Sequence, residues 1–260
     1  MLWGETSKSP ITFGHDIVGE VAAAGDGVTS YTEGNRVGAG WHGGHDGTCQ
    51  ICKMGLLVVC SNPVINGETK RGGYGESVLI QAKVAVRVPA HVDAAQYAPV
   101  LCAGVAAFNA LRRLNIPTRK KVAVQGLGGL GHMALQYANR FVYRVVAISR
   151  DSSKEKILRE IGAHEYVDAS QGDVGEQLHN LGGALLIVVT AKTAEVAGPL
   201  LSVWDRWLRK GLSVQRWPGG HNGSFKDAIF FIERHNQLIG TFKGAMLSGN
   251  VRLKAVLIVE

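Results

Sequence analysis

Asp46, Cys49, Cys52 and Cys60 stand at the spacing of a tetrahedral metal site, within His45-Asp46-Gly47-Thr48-Cys49-Gln50-Ile51-Cys52 and a cysteine eight residues on. Two residues between sulfurs let neighbouring thiolates point into one shell, and zinc is the ion such a shell holds. A fourth thiolate at position 46 would complete the set, but a carboxylate stands there. That exchange reads as a metalloprotein framework that has begun to lose parts. Only four cysteines occur in 260 residues, and three are clustered, which favours metal over disulfides.

A second candidate is Gly126-Leu127-Gly128-Gly129-Leu130-Gly131, a G-x-G-x-x-G pattern. In a chain with 34 glycines the pattern alone carries little. Its context carries more, because a short apolar run (122–125) precedes it and helical apolar spacing (130–138) follows it. The first glycine makes the turn, the second admits a pyrophosphate, and the third lets helix and strand pack closely. The helix N-terminus then offers N–H groups and partial positive charge to phosphates. An acidic residue about 20 positions further on would grip an NAD ribose. Here the second strand ends in Ser149 and Arg150, followed by Asp151, with Lys154 nearby. A hydroxyl and cations suit a 2′-phosphate, so NADP(H) is expected over NAD(H). Asp151 reverses the choice if its carboxylate faces the ribose.

These candidates need elements to hold them. The first hundred residues read as β with many turns, with strands over 17–22, 36–40, 77–80 and 84–89, a pattern that fits a barrel or sandwich. Residues 100–111 are small and apolar and read as one buried helix. From 121 the chain alternates strand and helix: strands at 122–125, 144–149, 165–168 and 184–189, helices at 130–138 and 153–161. Gly162 stops the last of these. Such alternation predicts a doubly wound parallel sheet.

Composition narrows the function classes. Hydrophobic residues make up 46% of the chain, enough for a core. No apolar run approaches the length of a membrane span and no signal core precedes Pro10, so a cytoplasmic protein with no membrane partner is expected. The net charge of +7 is scattered, with one run at Arg119-Lys120-Lys121. No nucleic-acid motif accompanies it, and it suits an anionic cofactor better than nucleic acid.

Taken together, the motifs resemble the zinc-containing alcohol dehydrogenases of the medium-chain dehydrogenase/reductase superfamily. The markers run in order: Gly14-His15-Asp16-Ile17-Val18-Gly19-Glu20-Val21, Gly34-Asn35-Arg36-Val37-Gly38, Gly40-Trp41-His42-Gly43-Gly44-His45, the cysteine cluster, Gly72-Gly73-Tyr74-Gly75-Glu76, Leu101-Cys102-Ala103-Gly104, residues 122–132 and Gly162-Ala163-His164-Glu165-Tyr166. The resemblance implies an α/β protein with three parts. A GroES-like catalytic domain covers residues 1–98, a Rossmann domain 99–238, and a segment returning to the catalytic domain 239–260. By resemblance, His15 and Cys102 are ligands of a catalytic zinc. Asp16 stands where the family has a glutamate able to approach the metal. Asp46, Cys49, Cys52 and Cys60 form the structural zinc lobe. The implied reaction interconverts alcohols and aldehydes or ketones by hydride transfer with NADP(H) or NAD(H). Members form dimers and tetramers through their Rossmann sheets, so a homo-oligomer is among the expectations.

The chain also departs from the family pattern. No cysteine precedes Cys49 and 13 residues precede Gly14, so the resemblance implies an N-terminally truncated catalytic domain lacking one zinc ligand and the hydroxyl of the proton relay. Ala106 and Ala107 stand where a threonine is usual. Stretches after Leu201 and after Ile232 read as internal deletions, and Gln215-Arg216 replace a smaller pair. These departures keep two alternatives in view: a non-catalytic nucleotide-binding pseudoenzyme and, with less support given the cysteine lobe, a zinc-free reductase.

Overall fold

The computed structural model of the protein describes residues 10–190 and 219–235. Its contacts divide these residues into two compact units. One runs to Ala106 and takes in 219–235, and the other runs from Ala107 to 190. The sequence-based bounds put 99–106 and 219–235 in the nucleotide-binding domain. The reason for the difference is packing, set out below for the helix at 222–234. The expected return segment, 239–260, and the deletions expected after Leu201 and beyond residue 235 lie outside the described residues.

In the first unit, strands β1 (Ile17–Glu20), β2 (Arg36–Ala39) and β5 (Val86–Arg87) form an antiparallel sheet in the order β1-β2-β5. Ile17 sits opposite Ala39 and Glu20 opposite Arg36. Gly34, at φ +77°, supplies the left-handed turn that leads into β2. Arg36 ties the end of this sheet to the following loop, donating from Nη1 to the carbonyls of Pro89, Ala90 and Val92 at 3.0, 2.8 and 2.7 Å. A second, two-stranded sheet pairs β3 (His42–Gly44) with β4 (Val64–Ile65). The strand expected at 77–80 does not form. Leu79 there is 81% exposed, so its apolar pattern had no face to bury.

Helix α1 (Gln50–Lys53) starts at the cysteine lobe, and α2 (Ala94–Tyr97) is capped by Asp93, whose carboxylate accepts from the Ala95 N–H at 2.8 Å. Residues Ala98–Leu101 form a 3₁₀ turn, and α3 runs from Ala103 to Arg112. The single helix expected at 100–111 is therefore interrupted at Cys102, whose backbone (φ −135°, ψ −75°) is not helical. A further helix, numbered α7 (Asn222–Arg234), packs on β5 and on the 98–101 turn. Phe225, Ala228, Ile229 and Ile232 are buried there, and Asn222 donates to the Ala85 carbonyl at 2.7 Å. That apolar stripe at helical spacing places α7 with the β-rich unit.

The second unit is a parallel sheet of four strands: β6 (Lys121–Gln125), β7 (Arg144–Ser149), β8 (Glu165–Asp168) and β9 (Leu186–Val189), in the order β8-β7-β6-β9. β6 and β7 are almost wholly buried, as strands covered on both faces must be. Helix α4 (Gly129–Arg140) packs on β6 and β7, while α6 (Val174–Asn180) places Val174 and Leu178 against Ala123, Val146, Ile148 and Val167. The expected helix at 153–161 splits into a 3₁₀ turn, Ser152–Lys154, and α5 (Glu155–Glu160), because Asp151 caps the turn one residue early. Strand order reverses between β6 and β9, and a doubly wound sheet binds its ligand at that point, beyond the carboxyl ends of the strands.

One connection carries strain. Val142, between α4 and β7, adopts φ +62° and is exposed. A β-branched residue is unfavourable in that region, and glycine is not. Val142→Gly is expected to raise stability by about 1 kcal/mol, less than the full left-handed penalty because glycine also loosens the unfolded chain. A thermal midpoint at or below that of the wild type would contradict this.

Candidate metal centres and cofactor loop

His15, Asp16 and Cys102 converge. Each offers one ligand atom, and all three atoms lie within 4.8 Å of one another. His15 and Asp16 immediately precede β1, and Cys102 sits at the break between the 98–101 turn and α3. That break is fixed from both sides: the Cys102 N–H donates to the Pro99 carbonyl at 3.3 Å, and the Ala106 N–H donates to the Cys102 carbonyl at 3.0 Å. Leu101 beside it is fully buried. A Cβ added to Gly40 would lie 2.0 Å from the Leu101 carbonyl oxygen, and one on Gly38 would lie 2.5 Å from the Leu101 side chain. These two glycines let β2 approach the segment carrying the thiol.

On the opposite side of the cluster, His15 Nδ1 lies 2.7 Å from Asp16 Oδ1. With Nδ1 protonated toward the carboxylate, Nε2 is left as the ligating nitrogen, the usual division of labour at a histidine that binds metal. Gly14, at φ +98°, is packed beneath the Tyr74 ring, where a Cβ would come within 2.5 Å. Burial works to lower the His15 pKa, but hydrogen bonds to Asp16 and Cys102 outweigh it and hold the pKa at about 9. In the metal-free chain this proton competes with a cation. Zinc affinity at the cluster is therefore expected to rise as pH increases from 7 to 9, with a proton released on binding. Competition titrations against a chelator at both pH values measure this, and His15→Ala should remove most of the dependence.

The cysteine lobe is equally well formed. Asp46, Cys49, Cys52 and Cys60 also place their ligand atoms within 4.8 Å of one another. Cys49 Sγ and Cys60 Sγ are 3.9 Å apart, and tetrahedral bonds of about 2.3 Å require about 3.8 Å between sulfurs. Backbone N–H groups point at the sulfurs: Cys52 at Cys49 Sγ (3.3 Å), and Asp46 and Asn62 at Cys60 Sγ (3.4 and 3.3 Å). Asp46 occupies the first position of the cluster. Its Oδ1 accepts from the N–H groups of Thr48 and Cys49 at 2.8 and 3.0 Å, and its Oδ2 accepts from Asn62 at 2.8 Å. N–H donors from Ser61 and Cys52 bring the Cys49 thiol down to about 7, while desolvation pushes Cys52 up to about 12.

In the second unit the glycine loop is built as its spacing predicts. Gly126 follows β6 at φ +87°. A Cβ on Gly131 would lie 2.1 Å from the Gly126 carbonyl oxygen, so only glycine lets α4 cross there. A Cβ on Gly128 would meet nothing within 4 Å, so the backbone there faces open space at the N-terminus of α4. Thr190, at the end of β9, was not singled out by its sequence context. It donates through its N–H to the Gln125 carbonyl at 2.9 Å and through its hydroxyl to the Gly126 carbonyl, bracing the turn across the switch point. Ser149 ends β7, and Arg150 follows it. Asp151 is occupied as a cap: its Oδ1 accepts from the Ser153 N–H at 2.9 Å and from the Ser153 hydroxyl, bonds that hold its carboxyl below the usual range.

Comparison with known proteins bears on both units. Residues 1–90 match the profile of the alcohol dehydrogenase GroES-like domain, and residues 129–229 that of the zinc-binding dehydrogenases. The chain is 48% identical to alcohol dehydrogenase notN of Aspergillus sp. (strain MF297-2), covering 96% of this chain and 83% of that one. That alignment runs over 281 positions, more than the 260 residues here, so this chain lacks internal segments the relative has. Among solved structures, the cinnamyl alcohol dehydrogenase of Sorghum bicolor superposes with a TM-score of 0.78 at 25% identity, covering 95% of this chain and 81% of that one. CAD from Helicobacter pylori, solved in complex with NADP(H), superposes with a TM-score of 0.77 at 23% identity, covering 96% of this chain and 82% of that one.

Proposed function

This chain belongs to the zinc-binding alcohol dehydrogenases of the medium-chain dehydrogenase/reductase superfamily, and on that premise we propose which of its residues carry the reaction and which nicotinamide cofactor it prefers. As a member, it is an oxidoreductase acting on alcohols, with zinc and a nicotinamide dinucleotide as its cofactors. The observation that carries the site assignment is the convergence of His15, Asp16 and Cys102. An imidazole nitrogen, a thiolate and a carboxylate are a donor set that suits zinc and leaves room for a substrate oxygen. Bound there, zinc supplies Lewis acidity at the alcohol oxygen while the nicotinamide accepts or gives the hydride. His15 holds its ring through Asp16 so that Nε2 faces the centre. Cys102 supplies the anionic sulfur from a backbone break that packing keeps in place. Asp46, Cys49, Cys52 and Cys60 would hold a second zinc in a structural role.

NADP(H) is the preferred cofactor in this reading. Ser149 and Arg150 stand at the edge of β7 where the ribose of a dinucleotide lies in this fold, with Lys154 one turn on. The support is Asp151: its carboxylate is spent on capping the 152–154 turn and so does not compete for a ribose hydroxyl. The phosphates rest on the 126–131 loop. Small alcohols and aldehydes are the substrates, and the protein works in the cytoplasm. The test is oxidation of NADPH and of NADH by the purified, zinc-supplemented chain against a panel of aldehydes. Faster turnover with NADPH supports the assignment. Equal or faster turnover with NADH overturns the cofactor preference, and no turnover in a folded, zinc-loaded protein overturns the catalytic assignment.

A further inference from the structure

Lys70 poses a problem that the reaction does not absorb. Its Nζ is closed off from solvent and has no hydrogen-bond partner. No carboxylate forms an ion pair with it among the described residues, and desolvation alone acts on it, pulling its pKa below the ordinary lysine value. A charged ammonium in that position is unfavourable unless an anion joins it. Lys121, also part-buried, is by contrast paired with Glu165 at 3.1 Å.

Lys70 also lines a cavity of about 450 Å³, together with Arg71 and the hydroxyl-bearing Thr12, Tyr74 and Ser77. That volume lies in the range of small-molecule sites. Among the described residues no acidic side chain lines the cavity, so Arg71 and the stem of Lys70 border it with no described carboxylate beside them. The walls are pinned: the N–H groups of Gly72, Gly73 and Tyr74 donate to the carbonyls of Thr12, Gly14 and Phe13 at 2.7, 2.9 and 2.9 Å. The lining segment is thereby tied to the stretch that delivers His15.

We propose that this cavity is a binding subsite for a small carboxylate, held by Lys70 and Arg71. The guanidinium of Arg71 matches a carboxylate with two parallel N–H donors. The flexible stem of Lys70 already lines the cavity, and rotation about its last bonds brings the ammonium to the ligand. The carboxylate supplies the acceptors and the charge that both side chains lack.

The experiment uses the zinc-loaded 260-residue chain with acetate as probe, followed by calorimetry and by the ¹⁵N signal of the lysine ammonium groups. Saturable acetate binding is expected, with a new exchange-protected ammonium resonance. Lys70→Met should weaken it by about tenfold or more, and Arg71→Met should weaken it similarly. Lys70→Met keeps the apolar stem and removes the unpaired charge, so its thermal midpoint should stay level or rise; lost binding cannot then be ascribed to lost fold. Acetate bound equally by the wild type and Lys70→Met would overturn the proposal, since the anion would then sit at zinc or elsewhere. Absence of saturable binding in the wild type would also overturn it. Inorganic phosphate binding more tightly than acetate, with the same dependence on Lys70, would overturn the carboxylate assignment. The readout does not involve alcohol oxidation, so failure here and failure of the proposed active site remain distinct results.

Discussion

Cys102→Ser is expected to reduce alcohol oxidation by more than about 100-fold if, as proposed, Cys102 holds the zinc directly, since even changes to groups that only orient the ligands cost 10–100-fold. Serine is nearly isosteric and can keep the hydrogen bonds of the 99–106 backbone, so the fold should survive. The diagnostic readout is metal content beside activity: the variant should lose close to one zinc per chain while the cysteine lobe keeps its own. Cys49→Ser should do the reverse in kind, with zinc lost and thermal stability falling before the chemistry does. Full activity in Cys102→Ser would remove His15, Asp16 and Cys102 from the reaction. Both zincs retained with activity gone would give the thiolate a role other than holding metal.

Arg150→Ala should raise the KM for NADPH by about 10–100-fold and leave that for NADH nearly unchanged, the span expected for one charge-assisted contact to a phosphate. The contrast between the two cofactors matters more than the size of either change, since a general disturbance of β7 would weaken both. Ser149→Asp is the complementary variant: a carboxylate at the strand end should repel the 2′-phosphate and favour NADH. Equal effects of Arg150→Ala on both cofactors would mean that Arg150 does not read the ribose edge and that the preference has another origin.

What the sequence reveals follows how local each feature is. The 126–131 loop could be read in full because a strand, a turn and a helix follow one another with no distant partner needed, and because each glycine has a separate steric reason to be there. The clustering of Asp46, Cys49, Cys52 and Cys60 was legible for the same reason. The break at Cys102 was not, since a run of small apolar residues gives no signal for where a helix stops; the interruption is imposed by Leu101 packing beneath β2. Apolar alternation at 77–80 suggested a strand, but a strand needs a neighbour, and none is offered there. Helix α7 was not read from the sequence, and its place among the β elements depends on which surface its stripe meets, which periodicity does not encode. Lys70 was silent: only burial distinguishes it from the solvated lysines around it. Asp151 was flagged as ambiguous, and its geometry turned on a serine two residues on.

The narrow passage between β2 and the segment holding Cys102 has a consequence for inheritance. Neither Gly38 nor Gly40 carries a side chain that could hold a substrate, a metal or a cofactor. Yet any side chain at Gly40 would collide with the Leu101 carbonyl and must displace the backbone beside Cys102. In a screen that scores only growth on an alcohol, variants at these two positions should therefore be indistinguishable from loss of a zinc ligand. Natural variation there should be as constrained as at Cys102 itself, for want of space rather than for any chemistry of their own.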